Sequence, residues 1–156
     1  MEFHSLSKTF NMTGWRIGFA VGNASAIAAL GKVKTNIDSG VFQAIQFAGI
    51  EALRNYSLGL SERRRIYEAR RNLFCKGLDE VGLRYYPPKA TFYVWFEVPR
   101  GMSSKDFTAK LLAETAIVVT PGNGFGRYGE GYVRVSITID DKRLAEAVER
   151  LKKIKL

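Results

Sequence analysis

From about residue 57 onward the chain switches repeatedly between helical and strand periods, and this switching most narrows what it can fold into. Residues 57–81 contain the run ERRRIYEARRNLF, whose charged and apolar positions fall on opposite faces at helical spacing. Ser57 or Ser61 is placed to cap this helix, and Gly82 to end it. Residues 83–86 then read as a short strand, Pro87-Pro88 as a stiff turn, and residues 92–98 as an alternating, aromatic strand. Ser103 caps a helix to about Glu114, residues 117–120 form a brief strand, and residues 132–139 form another. Asp140 caps a last helix over about 141–154. Such alternation predicts an α/β fold.

Residues 1–56 supply less. Residues 2–7 read as the end of a strand entering a loop that carries Lys8. Residues 15–21 form a short apolar run flanked by glycines, which suits a buried strand. Asn23 caps a helix over 24–34, and Asn36-Ile37-Asp38-Ser39-Gly40 interrupts it. A second helix over 41–54 places Phe42, Ile45, Ala48, Gly49 and Ala52 on one face. Two strands and two helices without a partner sheet do not make a complete domain. The expected division is therefore 1–56 and 57–156.

At 156 residues, with 46% hydrophobic and 25% charged residues, the chain can bury a real core. No stretch approaches the roughly 20 apolar residues that span a bilayer. The start, MEFHSLSK, lacks the basic-then-apolar pattern of a signal peptide. Cys75 is the single cysteine and His4 the single histidine, so an internal disulfide, a zinc site and a histidine triad all lack their residues. This usage favours a reducing, cytoplasmic setting without a metal. The net charge of +9 raises nucleic acid as a partner. The basic residues, however, are densest at Arg63, Arg64, Arg65, Arg70 and Arg71 on one helix and at Lys152, Lys153 and Lys155 near the end. No aromatic residues interleave with them as in an RNA-binding module. They read as solvated helix faces, so neither nucleic acid nor membrane is expected.

The chemistry concentrates in residues 5–18, SLSKTFNMTGWRIG. A lysine amine can form an imine with an aldehyde, and an arginine fork can hold a phosphate monoester by two points. Pyridoxal phosphate carries both groups. The pattern Ser-x-Ser-Lys, a short variable run, then Gly-x-Arg-x-Gly closely resembles the cofactor-lysine motif of the class I/II aminotransferases. These are fold-type I enzymes dependent on pyridoxal 5'-phosphate. The resemblance implies that Lys8 is the catalytic lysine that condenses with the cofactor. It implies further that Ser5 and Arg16 hold the cofactor phosphate, with Ser7 assisting. In fold terms, residues 1–56 would be the remnant of the large cofactor-binding domain and residues 57–156 the small α/β domain.

Four further segments extend the resemblance. Gly131-Tyr132-Val133-Arg134-Val135-Ser136 places an arginine in an apolar strand, which is costly to bury unless it meets an anion. In the family the arginine here grips the substrate α-carboxylate, which assigns Arg134 to that role. Pro121-Gly122-Asn123-Gly124-Phe125-Gly126 is neither GxGxxG nor GxxxxGK and precedes a strand. It therefore fails as a phosphate loop and reads as structural, with Gly122 and Gly124 serving the turn. At 90–92, Ala90-Thr91 replaces the glycine that the family usually carries before the phenylalanine. The segment at Asn36 corresponds to a loop that often crosses the family's dimer interface, which makes Asn36 a candidate substrate-site contact across a homodimer.

The resemblance covers the whole chain but only the C-terminal part of the family's length. A fragment is therefore expected, lacking the aspartate for the pyridine nitrogen, the ring-stacking aromatic and a phosphate-binding glycine loop, and inactive alone. The implied reaction moves an amino group between an amino acid and a 2-oxo acid. PKATFYVWFEVP and VVTPGNGFGRYGEGYVRVSI are most similar to the bacterial branch acting on LL-diaminopimelate with 2-oxoglutarate. Aspartate- and alanine-type aminotransferases, a pyridoxal-phosphate lyase and a non-catalytic sensor domain are the alternatives.

Overall fold

A computed structural model describes residues 1–57 and 59–156. The chain divides into two units, Met1–Glu62 and Arg63–Leu156.

In the first unit, β1 (Glu2–Ser5) and β2 (Gly18–Val21) pair antiparallel, from Glu2 opposite Val21 to Ser5 opposite Gly18. His4 stacks on Phe19 across the pair at 5.0 Å between ring centroids. The Leu6 amide donates to the Ile17 carbonyl at 3.2 Å and carries the ladder one step further. The connection holds α1 (Leu6–Thr9) and a 3-10 turn (Thr13–Trp15). Two more helices follow, α2 (Ala24–Lys34) and α3 (Gln43–Arg54). Asn23 caps α2 as expected, its Oδ1 accepting from the amides of Ser25 and Ala26. On α3, Ile45, Ala48 and Ala52 are half-buried and Gly49 is buried. A Cβ at Gly49 would stand 2.8 Å from Ile17 Cδ1 and 3.5 Å from Leu6 Cδ2, so the helix backbone packs directly on the residues that flank the lysine turn.

Three expectations change here. The loop thought to carry Lys8 is the helical turn α1, because Ser5 Oγ accepts the Ser7 amide at 3.2 Å and starts a helix. The strand expected from Trp15 begins at Gly18, since Trp15 belongs to the 3-10 turn and Arg16 is left-handed. Phe42 precedes α3 and is exposed, so it does not join the buried face.

The second unit is built on a three-stranded antiparallel sheet of β3 (Tyr93–Glu97), β4 (Thr120–Pro121) and β5 (Tyr132–Ser136), in the order β3–β5–β4. Alternation sends Val94, Phe96, Val133 and Val135 into the core. They meet Phe74 and Leu78 of α4 (Leu60–Glu80), Phe107 and Leu111 of α5 (Ser104–Thr115), and Leu144, Val148 and Leu151 of α6 (Asp141–Leu151). Each such side chain contributes on the order of 1.5–3 kcal/mol by leaving water. Tyr93, Trp95 and Arg134 alternate with the core residues and stand on the other face of the sheet.

Helices and sheet together give the α/β class expected. Ser103 and Asp140 cap α5 and α6 through bonds to the amides of Asp106 and Arg143. Gly82, with φ +71, closes α4. Ser61 lies inside the first turn of α4 and so does not cap it. The strand expected at 83–86 is reduced to a bridge between Tyr85 and Phe96. The brief strand at 117–120 shifts to Thr120–Pro121, and β5 ends at Ser136.

Candidate functional site

Ser5 ends β1 directly opposite Gly18, the first residue of β2, so the segments that carry Lys8 and Arg16 leave the same end of one hairpin. Only glycine fits at 18, because a Cβ would lie 2.5 Å from the His4 carbonyl oxygen. Gly14, the other glycine of the motif, has open space around it. A further bond closes the connection: Thr13 Oγ1 donates to the Ser7 carbonyl at 3.1 Å. This ties the turn holding Lys8 to the turn preceding Arg16.

Lys8 is exposed on α1. Ser5 is exposed and its hydroxyl oxygen accepts from the Ser7 amide. Ser7 itself is buried. Arg16 is exposed, with φ 51° and ψ 46°, and its Nη1 donates to the Thr13 carbonyl at 3.1 Å. A non-glycine residue held left-handed costs about 1–2 kcal/mol, and such strain persists where neighbours over-determine it. Asn36 follows α2, exposed, and its Nδ2 donates to the Lys32 carbonyl at 2.7 Å.

In the second unit, Arg134 is half-buried on the outer face of β5, opposite Trp95 on one neighbour and Thr120 on the other. It avoids the cost of the apolar core by lying on the far side from Val133 and Val135. Its guanidinium carbon stands 4.0 Å from the Tyr93 ring centroid and 4.2 Å from that of Phe125. Among the described residues no carboxylate or carbonyl bonds to this side chain. It is a cation held by aromatic rings with its donors unspent.

Phe125 comes from the glycine-rich loop, which is not a plain loop but two 3-10 turns, Gly122–Phe125 and Arg127–Gly129. Trp95 meets Phe125 edge-on at 5.2 Å. The loop's end is fixed by Glu130, whose carboxylate accepts from the Ser104 amide at 2.7 Å and from the Ser104 hydroxyl at 2.9 Å. The Ser104 amide and then its hydroxyl, aided by the Gly131 amide, hold the Glu130 carboxyl below the usual range against a smaller desolvation effect. Thr91, next to Ala90, takes φ +70, a conformation that glycine favours. Nothing in the sequence marks Tyr93 and Phe125 as neighbours of Arg134. Tyr93 is diagonal to Arg134 across the β3–β5 pair, a relation visible only once the register is known.

Among the described residues no group of three or more His, Cys, Asp or Glu side chains could hold a metal ion, and no helix is long and apolar enough to cross a membrane.

Fold and residue set together define the class: an α/β protein with a lysine turn and an arginine turn on one hairpin end. The description "Aminotransferase class I and II" matches residues 1–151, and the chain belongs to that family. It is 56% identical over 154 residues to the LL-diaminopimelate aminotransferase of Syntrophobacter fumaroxidans, covering 99% of this chain and 40% of that protein. To the enzyme of the same name from Aquifex aeolicus it is 53% identical over 156 residues, covering 100% of this chain and 40% of the relative. The chain thus spans about two fifths of the length of these relatives. Among solved structures, an aromatic aminotransferase from Pyrococcus horikoshii matches with a TM-score of 0.91 at 36% identity, over 97% of this chain and 41% of that one. An aminotransferase from Staphylococcus aureus matches with a TM-score of 0.91 at 43% identity, over 97% and 40%.

Proposed function

We propose that this chain is the lysine-bearing part of a pyridoxal-phosphate-dependent aminotransferase that acts on LL-diaminopimelate and 2-oxoglutarate. Residues 1–56 belong to its large cofactor-binding domain and residues 57–156 to its small domain. The observation that carries this reading is the hairpin end itself. An exposed amine, an exposed serine hydroxyl and an exposed guanidinium leave one strand pair there, tied by the Thr13 to Ser7 bond. That donor set fits an aldehyde and a phosphate monoester. The left-handed Arg16 is in keeping with it, as such backbone strain clusters at functional sites.

Lys8 Nζ is the attachment point for the cofactor and, when free as the amine, moves the proton at the substrate α-carbon. Ser5 Oγ and Arg16 hold the phosphate, and Ser7 acts from beneath them by shaping the turn. Arg134 takes the substrate carboxylate through the edge of its guanidinium. When bound, the cofactor supplies an electron sink for the carbanion formed by loss of that proton. Identity of 56% and 53% to two proteins named for LL-diaminopimelate supports the substrate. A homodimer with Asn36 at its interface follows from the family resemblance.

The test is to incubate the chain with pyridoxal phosphate, fix the adduct with borohydride, and map the label by peptide mass. The label is expected on the peptide carrying Lys8, to be absent from Lys8→Ala, and to be weakened several-fold in Arg16→Leu. Labelling spread evenly over the exposed lysines, with Lys8→Ala unaffected, would overturn the assignment.

A further inference from the structure

We propose that Tyr93 and Phe125 are positioning residues, which clamp the Arg134 guanidinium between their rings so that only its N–H edge meets a carboxylate. This rests on the reading of Arg134 as the carboxylate-binding residue and goes beyond it. The guanidinium carbon lies 4.0 Å from one ring centroid and 4.2 Å from the other. The cation thus lies over both rings at once. The two rings take up space beside the guanidinium that water and stray anions would otherwise occupy. The five N–H donors all lie in the guanidinium plane, and an in-plane carboxylate matches two of them at once. The arginine is therefore oriented before its ligand arrives, which reduces the ordering that binding must impose.

Each ring is itself held. Tyr93 is fixed in β3, diagonal to Arg134, and its ring packs on Phe92 at 4.7 Å. Phe125 has no strand to hold it and depends on its 3-10 turn and on the edge of Trp95. That turn exists because Gly122 and Gly129 bring their backbones together: a Cβ on Gly122 would sit 1.9 Å from the Gly129 carbonyl oxygen. The glycine-rich loop, structural by sequence, thus delivers one wall of a carboxylate site. The clamp also selects among ligands. It favours an anion that approaches the N–H edge.

The experiment uses the 156-residue chain labelled with ¹⁵N at arginine and titrated with 2-oxoglutarate. The Arg134 Nε–H resonance is identified by its loss in Arg134→Lys. Ring currents from both sides should displace it upfield in the unaltered chain. Tyr93→Leu and Phe125→Leu should each reduce that displacement and weaken 2-oxoglutarate binding by about two- to thirtyfold, the range for losing one cation–π contact. Tyr93→Phe and Phe125→Tyr keep a ring and should restore both readouts, which a general loss of folding would not allow. Leucine variants that bind as tightly as the unaltered chain, or that leave the resonance in place, would sink the clamp while leaving Arg134 its role. If 2-oxoglutarate never shifts the Arg134 resonance, or if Arg134→Lys binds as well as the unaltered chain, the carboxylate reading fails and the clamp fails with it.

Discussion

Gly122 and Gly129 face each other so closely that neither tolerates a side chain. A Cβ on Gly129 would lie 2.0 Å from the Gly122 carbonyl oxygen, and one on Gly122 would lie 1.9 Å from that of Gly129. Both obstacles are backbone, which cannot rotate away. A Cβ on Gly124 would meet nothing within 4 Å, and Gly124 has no positive φ. Gly122→Ala and Gly129→Ala should therefore destabilise the chain by about 1–3 kcal/mol, as overpacking does, and Gly124→Ala should be near neutral. Urea denaturation of the three variants measures this, and equal losses in all three would contradict it. Gly122 and Gly124 stand out in the sequence because glycines clustered before a strand announce a turn. Nothing in the cluster reveals that Gly122 touches a residue seven positions on, so Gly129 does not stand out. Arg134 stands out in the sequence for the converse reason: a charge inside an apolar strand is anomalous there. Its ring neighbours do not, because Tyr93 reads as an ordinary strand aromatic and Phe125 as part of a loop.

Elements were legible where their determinants are local. Asn23, Ser103 and Asp140 each cap the helix expected of them, because capping involves a side chain and amides two or three residues away. Strand ends were misjudged because they are set by partners distant in sequence: β4 keeps two residues because only Thr120 and Pro121 find partners on β5. Nothing near Ser104 in sequence shows that Glu130, twenty-six residues later, holds the start of α5. That contact carries a pH dependence. The bonds from Ser104 lower the Glu130 pKa in the folded state. A lowered carboxyl pKa contributes stability that is present above the unfolded value, about 4.3 for glutamate, and is lost as pH falls through the folded value. Glu130→Gln should thus be less stable than the unaltered chain at neutral pH, with the gap closing below about pH 4. Thermal melts across pH would show it; a gap that stays constant down to acid pH would exclude a titrating role for Glu130.

At the scale of the whole molecule, the two units differ sharply in what they bury. Among the described residues, every buried apolar side chain except Leu6 and Met12 belongs to the core of the second unit. In the first unit Phe3, Ile37, Phe42 and Phe47 are all exposed, three of them by 70% or more. Composition could not foretell this imbalance, since 46% hydrophobic residues promise a core without saying where it forms. Among the described residues, the sheet of the first unit has two strands, β1 and β2. Local opening costs least where few apolar contacts must be broken. Amides of β1, β2 and α3 should therefore exchange with deuterium well before those of β3, β5 and α6, and should do so without global unfolding. The lysine turn belongs to the lightly buried unit and Arg134 to the well-packed one. If pyridoxal phosphate binds at the hairpin end as proposed, it should consequently slow exchange in β1, β2 and α1 and leave the protection of β3 and β5 almost unchanged. Hydrogen exchange followed by mass spectrometry, with and without the cofactor, measures both effects. Equal protection across the two units in the unliganded chain would contradict the argument from burial.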